Sequence, residues 1–270
     1  MRNHNGDIKS VKKFITLIAL VFVLVVTKAW FDVSDIPKEP QADTLALTPG
    51  KTLRLHIPDI GLAKPAKRVC EIRIPENYKA ETRVPLLVWF SPGGGSSSVA
   101  SVPPVVDFSA FLIVAIPYPD HKLPRLAIDA GKKKIDSFWA YEKPILGYVK
   151  DLVPNISIET RIAGGFSSGA HLIGSGLDRD WSGFTDFFTA YVIHEGGYAP
   201  DMTYQGVQDS HKILITYGTQ HKSYGRVVAR EMQRAGVHPT VKKLPNTGHN
   251  MSQEAINTIR KWIESEVLPR

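Results

Sequence analysis

Cysteine is nearly missing from this chain. Cys70 is the only one in 270 residues, so no internal disulfide can form and the small disulfide-framework classes are excluded. Stability has to come from a hydrophobic core, which a chain of this length can build. The signatures of three common chemistries are also missing. No G-x-G-x-x-G follows a strand-like run, no glycine-rich loop ends in G-K-[ST], and the nine histidines form no H-E-x-x-H. Dinucleotide, phosphate-loop and zinc-protease readings fail on those grounds. His194, Glu195, His211 and His221 lack metal-ligand spacing, so no metal and no cofactor is expected. Internal repeats and low-complexity tracts are absent too. With 43% hydrophobic and 22% charged residues, the composition is that of a globular domain, not a collagen-like or disordered one.

The charge is less informative than it looks. The net value is +7, which on its own suggests an anionic partner. Arg2, Lys9, Lys12, Lys13 and Lys28 supply much of it, against Asp7 alone, and residues 30–270 carry 28 basic and 25 acidic side chains, or +3. Lys132-Lys133-Lys134 is the one local cluster and reads as a solvated loop or helix start. No nucleic-acid partner is expected.

Long apolar runs are confined to the beginning. Phe14 to Val26 is apolar apart from Thr16 and follows Lys12-Lys13, the pattern of a signal peptide. Extended to Phe31, with Lys28 snorkelling, it could instead span a membrane. Residues 1–31 are therefore expected to be a cleaved signal, with Thr27-Lys28-Ala29 as a cleavage site, or an uncleaved anchor; no lipobox cysteine lies near. Both place the rest of the chain outside, secreted, periplasmic or anchored, with membrane contact only through this segment. Residues 32–51, with Pro37, Pro40 and Pro49, read as a linker, and 52–270 as one domain.

Within that domain strand-like and helix-like stretches alternate. Strands are expected at Leu53–Ile57, Arg68–Ile74, Leu86–Phe90, Phe111–Ile116, Arg161–Gly165, Ala190–His194, Lys212–Tyr217 and Thr240–Lys243. Leu86–Phe90 and Leu112–Ile116 are continuous apolar runs, as suits parallel strands covered on both faces. Ile135–Leu152, Ser223–Ala235 and Ser252–Val267 show helical periodicity. The order implies an α/β fold with a largely parallel sheet and helices on its faces.

Gly165-Phe166-Ser167-Ser168-Gly169 sits between such a strand and a helix-compatible run, Ala170 to Leu177. In G-x-S-x-G the serine occupies a tight, strained strand-to-helix turn, and small residues two before and two after let the chain pass. Ser167 meets that rule; Ser168 does not, since Phe166 precedes it by two. The hydroxyl of Ser167 is the expected nucleophile, and the N–H of Ser168 an expected oxyanion donor. Ser91-Pro92-Gly93-Gly94-Gly95 follows the strand Leu86–Phe90, and Gly93 or Gly94 would supply the second donor. A general base is expected late, on a loop after the last strand, where His249 stands just before the C-terminal helix. His171 is expected to flank the pocket. Asn155-Ile156-Ser157 and Asn250-Met251-Ser252 are glycosylation sequons by pattern.

These residues resemble the α/β-hydrolase superfamily, and more closely secreted esterases of the polyhydroxybutyrate-depolymerase and feruloyl-esterase type. Ile74-Pro75-Glu76-Asn77-Tyr78 and Pro85-Leu86-Leu87-Val88, then the Gly93–Gly95 loop, the Ser167 elbow and Gly248-His249, follow that family's order over roughly residues 52 to 267. The resemblance implies an eight-stranded, mostly parallel sheet and hydrolysis of a small-molecule or polymeric ester through an acyl-enzyme. The chain departs from the family twice. Ser91-Pro92-Gly93 replaces the usual His-Gly-Gly. The acid usually found after the seventh strand is replaced by His221, in Gly218-Thr219-Gln220-His221. Glu195, at the end of the sixth strand, is the first alternative acid and Asp201 the second. A catalytically weak binding protein and an acyltransferase on the same fold remain rival readings. Only Gly196 to Ser210 separate the sixth strand from the seventh, too little for a large lid. Trp181, Phe184, Phe187, Tyr198 and Tyr204 are expected either to line the site or to pack in the core.

Overall fold

The structure, a computed structural model, describes residues 46–56, 69–119, 136–179, 183–197, 202–220 and 224–269. The N-terminal segment, the Lys132–Lys134 run, Trp181, Tyr198, Asp201 and His221 lie outside the described residues. The chain divides into two compact units, Met1–Ala46 and Leu47–Arg270. The second unit holds every strand and helix described. Leu47 packs against its core, and the Gly50 N–H donates to the carbonyls of Ile74 and Pro75.

Eight strands form one sheet: β1 Thr52–His56, β2 Val69–Arg73, β3 Val84–Phe90, β4 Leu112–Ala115, β5 Ile156–Phe166, β6 Ala190–His194, β7 Lys212–Gly218 and β8 Thr240–Leu244. Their order across the sheet is β1-β2-β4-β3-β5-β6-β7-β8. The pairs β1–β2 and β2–β4 are antiparallel, and every pair from β4 to β8 is parallel. The expected mostly parallel α/β architecture is thus what the residues build.

The helices are α1 Asp136–Leu152, α2 Ser168–Arg179, the single turn α3 Phe184–Phe187, α4 Tyr224–Arg234 and α5 Gln253–Trp262, which runs into a wider turn at Ile263–Val267. They cover both faces, and strand periodicity decides which residues each face receives. Leu86, Val88 and Phe90 of β3 point to a core layer shared with Tyr141 and Ile145 of α1, Leu172 and Ile173 of α2, and Val228 and Met232 of α4. Leu87 and Trp89 point the other way, to a layer closed by Val105, Phe111, and Ile256, Ile259 and Trp262 of α5. The apolar residues of the last helix, Ile256, Ile259, Trp262 and Ile263, are thus core residues. Cys70 is fully buried among the first layer's residues, and burial pushes its thiol far above the ordinary value.

One sequence expectation needs correcting. Strand β5 starts at Ile156, not Arg161, because Val84 pairs with Ile156 and an irregularity before Leu86 absorbs the polar stretch. Ser157 turns inward there, and its Oγ accepts the N–H groups of Glu159 and Thr160. The Asn155 sequon is also occupied by structure. The Asn155 amide donates to the carbonyls of Lys79 (3.0 Å) and Thr82 (2.6 Å) and accepts from the Tyr78 hydroxyl. A glycan on Nδ2 would break that tie between loops.

Candidate active site

The parallel strands end at a common edge, and their C-terminal residues stand side by side. Phe90 of β3 lies beside Gly165 of β5, Phe166 beside His194 of β6, His194 beside Thr216 of β7, and Gly218 beside Leu244 of β8. Ser167, Glu195 and the loop carrying His249 leave the sheet there. In open α/β sheets this edge is where ligands bind.

Ser167 has φ +55°, a left-handed conformation that costs a residue with a Cβ of order 1–3 kcal/mol. The small neighbours are required by space. A Cβ on Gly165 would sit 2.6 Å from the carbonyl carbon of Gly169, and one on Gly169 would sit 2.6 Å from that of Phe90. The turn is fixed by the Ser167 N–H donating to the His194 carbonyl (3.0 Å), while the Ser167 carbonyl accepts from His171 (3.1 Å). Ser168 begins α2, so its N–H projects from a helix N-terminus with no intrahelical partner.

His249 reaches the serine from the other side. Its Nε2 lies 2.9 Å from Ser167 Oγ. The loop that holds it is tied down at several points: Thr247 Oγ1 donates to the Leu244 carbonyl, Gln220 N–H to the Thr247 carbonyl, and Asn246 N–H to Thr219 Oγ1. Ser252 then caps α5 by accepting the Ala255 N–H. The Phe166 ring packs against the His249 imidazole, centroids 5.1 Å apart.

Glu195 completes the arrangement. It also has a positive φ, +53°, which turns its side chain back under the histidine. Its Oε2 lies 3.6 Å from His249 Nδ1. Its Oε1 accepts the Gly218 N–H. The Glu195 side chain is 1% exposed and that of His249 40%, so a buried carboxylate stands behind a half-exposed imidazole. The structure thus brings Ser167, His249 and Glu195 together. Glu195 is not paired with His194, whose ring bonds elsewhere: Nδ1 to Thr216 Oγ1 at 2.8 Å and Nε2 to the Asn250 carbonyl at 2.9 Å. Burial holds the His194 pKa below its ordinary value.

The loop after β3 leaves the sheet beside the elbow. Its turn is closed by the Gly95 N–H on the Pro92 carbonyl (3.2 Å), with φ +63° at Gly93. Among the described residues the N–H groups of Gly93 and Gly94 have no partner. Tyr118, which the sequence did not single out, clamps this loop: its hydroxyl donates to the Ser91 carbonyl, and its ring leaves no room for a side chain at Gly95, where a Cβ would come within 2.7 Å.

The remaining candidates divide. His171 is buried, its ring edge-on to Tyr224 at 5.4 Å. Phe184 and Tyr204 are core residues, and Phe187 lies under Arg161, 4.9 Å from ring centroid to guanidinium. The segment before β7 is pinned by the Asp178 carboxylate, which accepts from the Thr203 and Tyr204 N–H groups. His211 is held by the Gln208 N–H and the Thr185 carbonyl.

The chain matches no family model and no curated protein. It does match solved structures. The substrate-bound fluorophosphonate-binding serine hydrolase F (FphF) of Staphylococcus aureus aligns with a TM-score of 0.57 at 13% identity, over 82% of this chain and 100% of that one. The ferulic acid esterase of the anaerobic fungus Anaeromyces mucronatus, in complex with ferulic acid, aligns with a TM-score of 0.55 at 13% identity, over 80% and 90%. The acylaminoacyl peptidase of Pyrococcus horikoshii aligns with 0.52 at 11%, over 74% of this chain and 39% of that one, so the chain spans well under half of that enzyme's length. At these identities the likeness is one of fold: the chain has the α/β-hydrolase fold, shared with solved serine hydrolases, esterases and peptidases.

Proposed function

We propose that the chain is a serine hydrolase acting on carboxylic esters through an acyl-enzyme. The observation that carries this reading is the line of three groups, Ser167 Oγ 2.9 Å from His249 Nε2 and His249 Nδ1 3.6 Å from Glu195 Oε2. Ser167 Oγ attacks the ester carbonyl as its proton passes to His249 Nε2. The carbonyl oxygen, now an oxyanion, takes hydrogen bonds from the Ser168 N–H and from Gly93 or Gly94. Collapse expels the alcohol, which leaves with the proton from His249. Water then attacks the acyl-serine by the same route and releases the acid. Glu195 holds the imidazole in the tautomer with a proton on Nδ1 and balances the imidazolium that forms. On this reading Glu195 supplies what His221 cannot, which removes the ground for a catalytically inactive protein. The basic-then-apolar N-terminal segment supports export, with the domain outside the membrane.

The test is a pre-steady-state assay with a p-nitrophenyl ester. An alcohol burst matching the enzyme concentration, followed by slower turnover, supports the acyl-enzyme. Hydrolysis without a burst at any acyl length, or none by folded protein, counts against it. Faster turnover on adding a simple alcohol, with a new ester formed, would favour the acyltransferase alternative.

A further inference from the structure

We infer that His194 is a positioning residue for His249, acting through the Asn250 carbonyl. The inference deepens the hydrolase reading and rests on it.

His194 is the last residue of β6, directly before Glu195, and is 1% exposed. A carbonyl can only accept, so the 2.9 Å contact between Nε2 and the Asn250 oxygen fixes the ring proton on Nε2. Nδ1 is then a lone pair, and it accepts from the Thr216 hydroxyl at 2.8 Å. Both ring nitrogens are used, and each use ties a different element to β6. Thr216 belongs to the neighbouring strand β7, and its own carbonyl accepts the Glu195 N–H. Asn250 follows His249 in the chain, so the Nε2 bond anchors the base's loop at the residue next to the base.

The backbone of His194 does a related job, since its carbonyl accepts the Ser167 N–H. The Phe166 ring packs against both imidazoles, 5.2 Å from His194 and 5.1 Å from His249. One residue therefore sets the spacing of nucleophile, base and acid: Ser167 through its carbonyl, His249 through its ring, and Glu195 by adjacency. The charged or titratable groups acting on His194 are Glu195 and His249. With burial opposing a second ring proton, the bond to Asn250 keeps one direction.

Two substitutions separate this role from ordinary core packing. In His194→Gln the side-chain amide nitrogen falls near the Nε2 position and can still donate to Asn250. In His194→Asn the amide falls near Nδ1 and cannot reach. Both are measured for kcat and KM on a p-nitrophenyl ester, for thermal midpoint, and for the imidazole resonances of His249 at one fixed pH. The expected result is a kcat lowered about 10²-fold in His194→Asn, the order of loss for a misplaced catalytic group. KM stays nearly unchanged, the His249 resonances shift, and His194→Gln recovers most of both. Unmoved His249 resonances in His194→Asn overturn the inference, as does equal loss in both variants that follows their thermal midpoints. If folded wild type hydrolyses no ester, the hydrolase reading fails, while the His249 resonances still decide whether His194 holds the base.

Discussion

Glu195 Oε2 faces His249 Nδ1 at 3.6 Å, and among the described residues no other donor meets that oxygen. The distance is longer than a hydrogen bond, as is common before substrate tightens a site. A buried carboxylate with one oxygen on the Gly218 N–H and the other open toward an imidazole is suited to a cation that forms only during reaction. Glu195→Gln keeps the shape and removes the charge. Its kcat should fall by about 10²- to 10⁴-fold, the upper figure being the loss known for an equivalent change in a serine protease. Turnover within threefold of wild type, roughly RT ln 3 or ~0.6 kcal/mol, would exclude Glu195 as the acid.

Tyr118→Phe tests the oxyanion loop. The substitution deletes the hydroxyl that donates to the Ser91 carbonyl and keeps the ring behind Gly95. The loop should loosen, lowering kcat by about 10-fold with little change in KM, less than the loss of a donor itself. An unchanged kcat in a folded variant would show that the clamp has no part in catalysis.

Gly169→Ala tests the elbow's packing. The new methyl would press on the Phe90 backbone at the end of β3. Overpacking of this kind costs about 1–3 kcal/mol, or some 2–4 °C in thermal midpoint for each kcal/mol in a domain of this size. A midpoint equal to wild type would mean that the turn has slack.

Glu142 should be a stability liability that depends on pH. It is fully buried on α1, its two oxygens have no hydrogen-bond partner among the described residues, and burial raises its pKa well above the ordinary 4.5. The unfolded chain releases this proton at about the ordinary value, while the folded protein retains it to higher pH. Between the two values the unfolded state binds fewer protons, so this group's contribution to stability falls as pH rises. Glu142→Met fills the space without a polar group. It should gain about 1–3 kcal/mol at neutral pH, the cost of an unsatisfied buried group, and the gain should shrink as pH falls toward 4.5. Thermal midpoints across that range check this; a difference independent of pH would contradict it.

Much of this was legible before any coordinates. The Ser167 elbow was readable because its turn needs small residues at two fixed positions, a constraint local in sequence. β3 and β4 were readable because strands buried on both faces are continuous apolar runs. Glu195 could be nominated as the acid behind His249 from its place at the end of an apolar strand, but the geometry of that contact was not legible, since it depends on a positive φ and on the register of β6, β7 and β8. His194 and Tyr118 carried no signal. Each acts through a backbone carbonyl, of Asn250 and of Ser91, and carbonyls are the same at every position of a sequence. Phe184 and Tyr204 looked equally fit for site or core, because aromatic residues in the segments that connect strands look alike in both settings.

The central claim is that Ser167 is an activated nucleophile, and covalent trapping reads it directly. Full-length protein is treated with a fluorophosphonate, and the intact mass and modified peptide are measured, with Ser167→Ala and His249→Ala treated in parallel. The account predicts one phosphonyl adduct on Ser167 in the wild type, none in Ser167→Ala, and far slower labelling in His249→Ala. A folded wild type that takes no adduct, or an adduct of equal yield in Ser167→Ala, would contradict it.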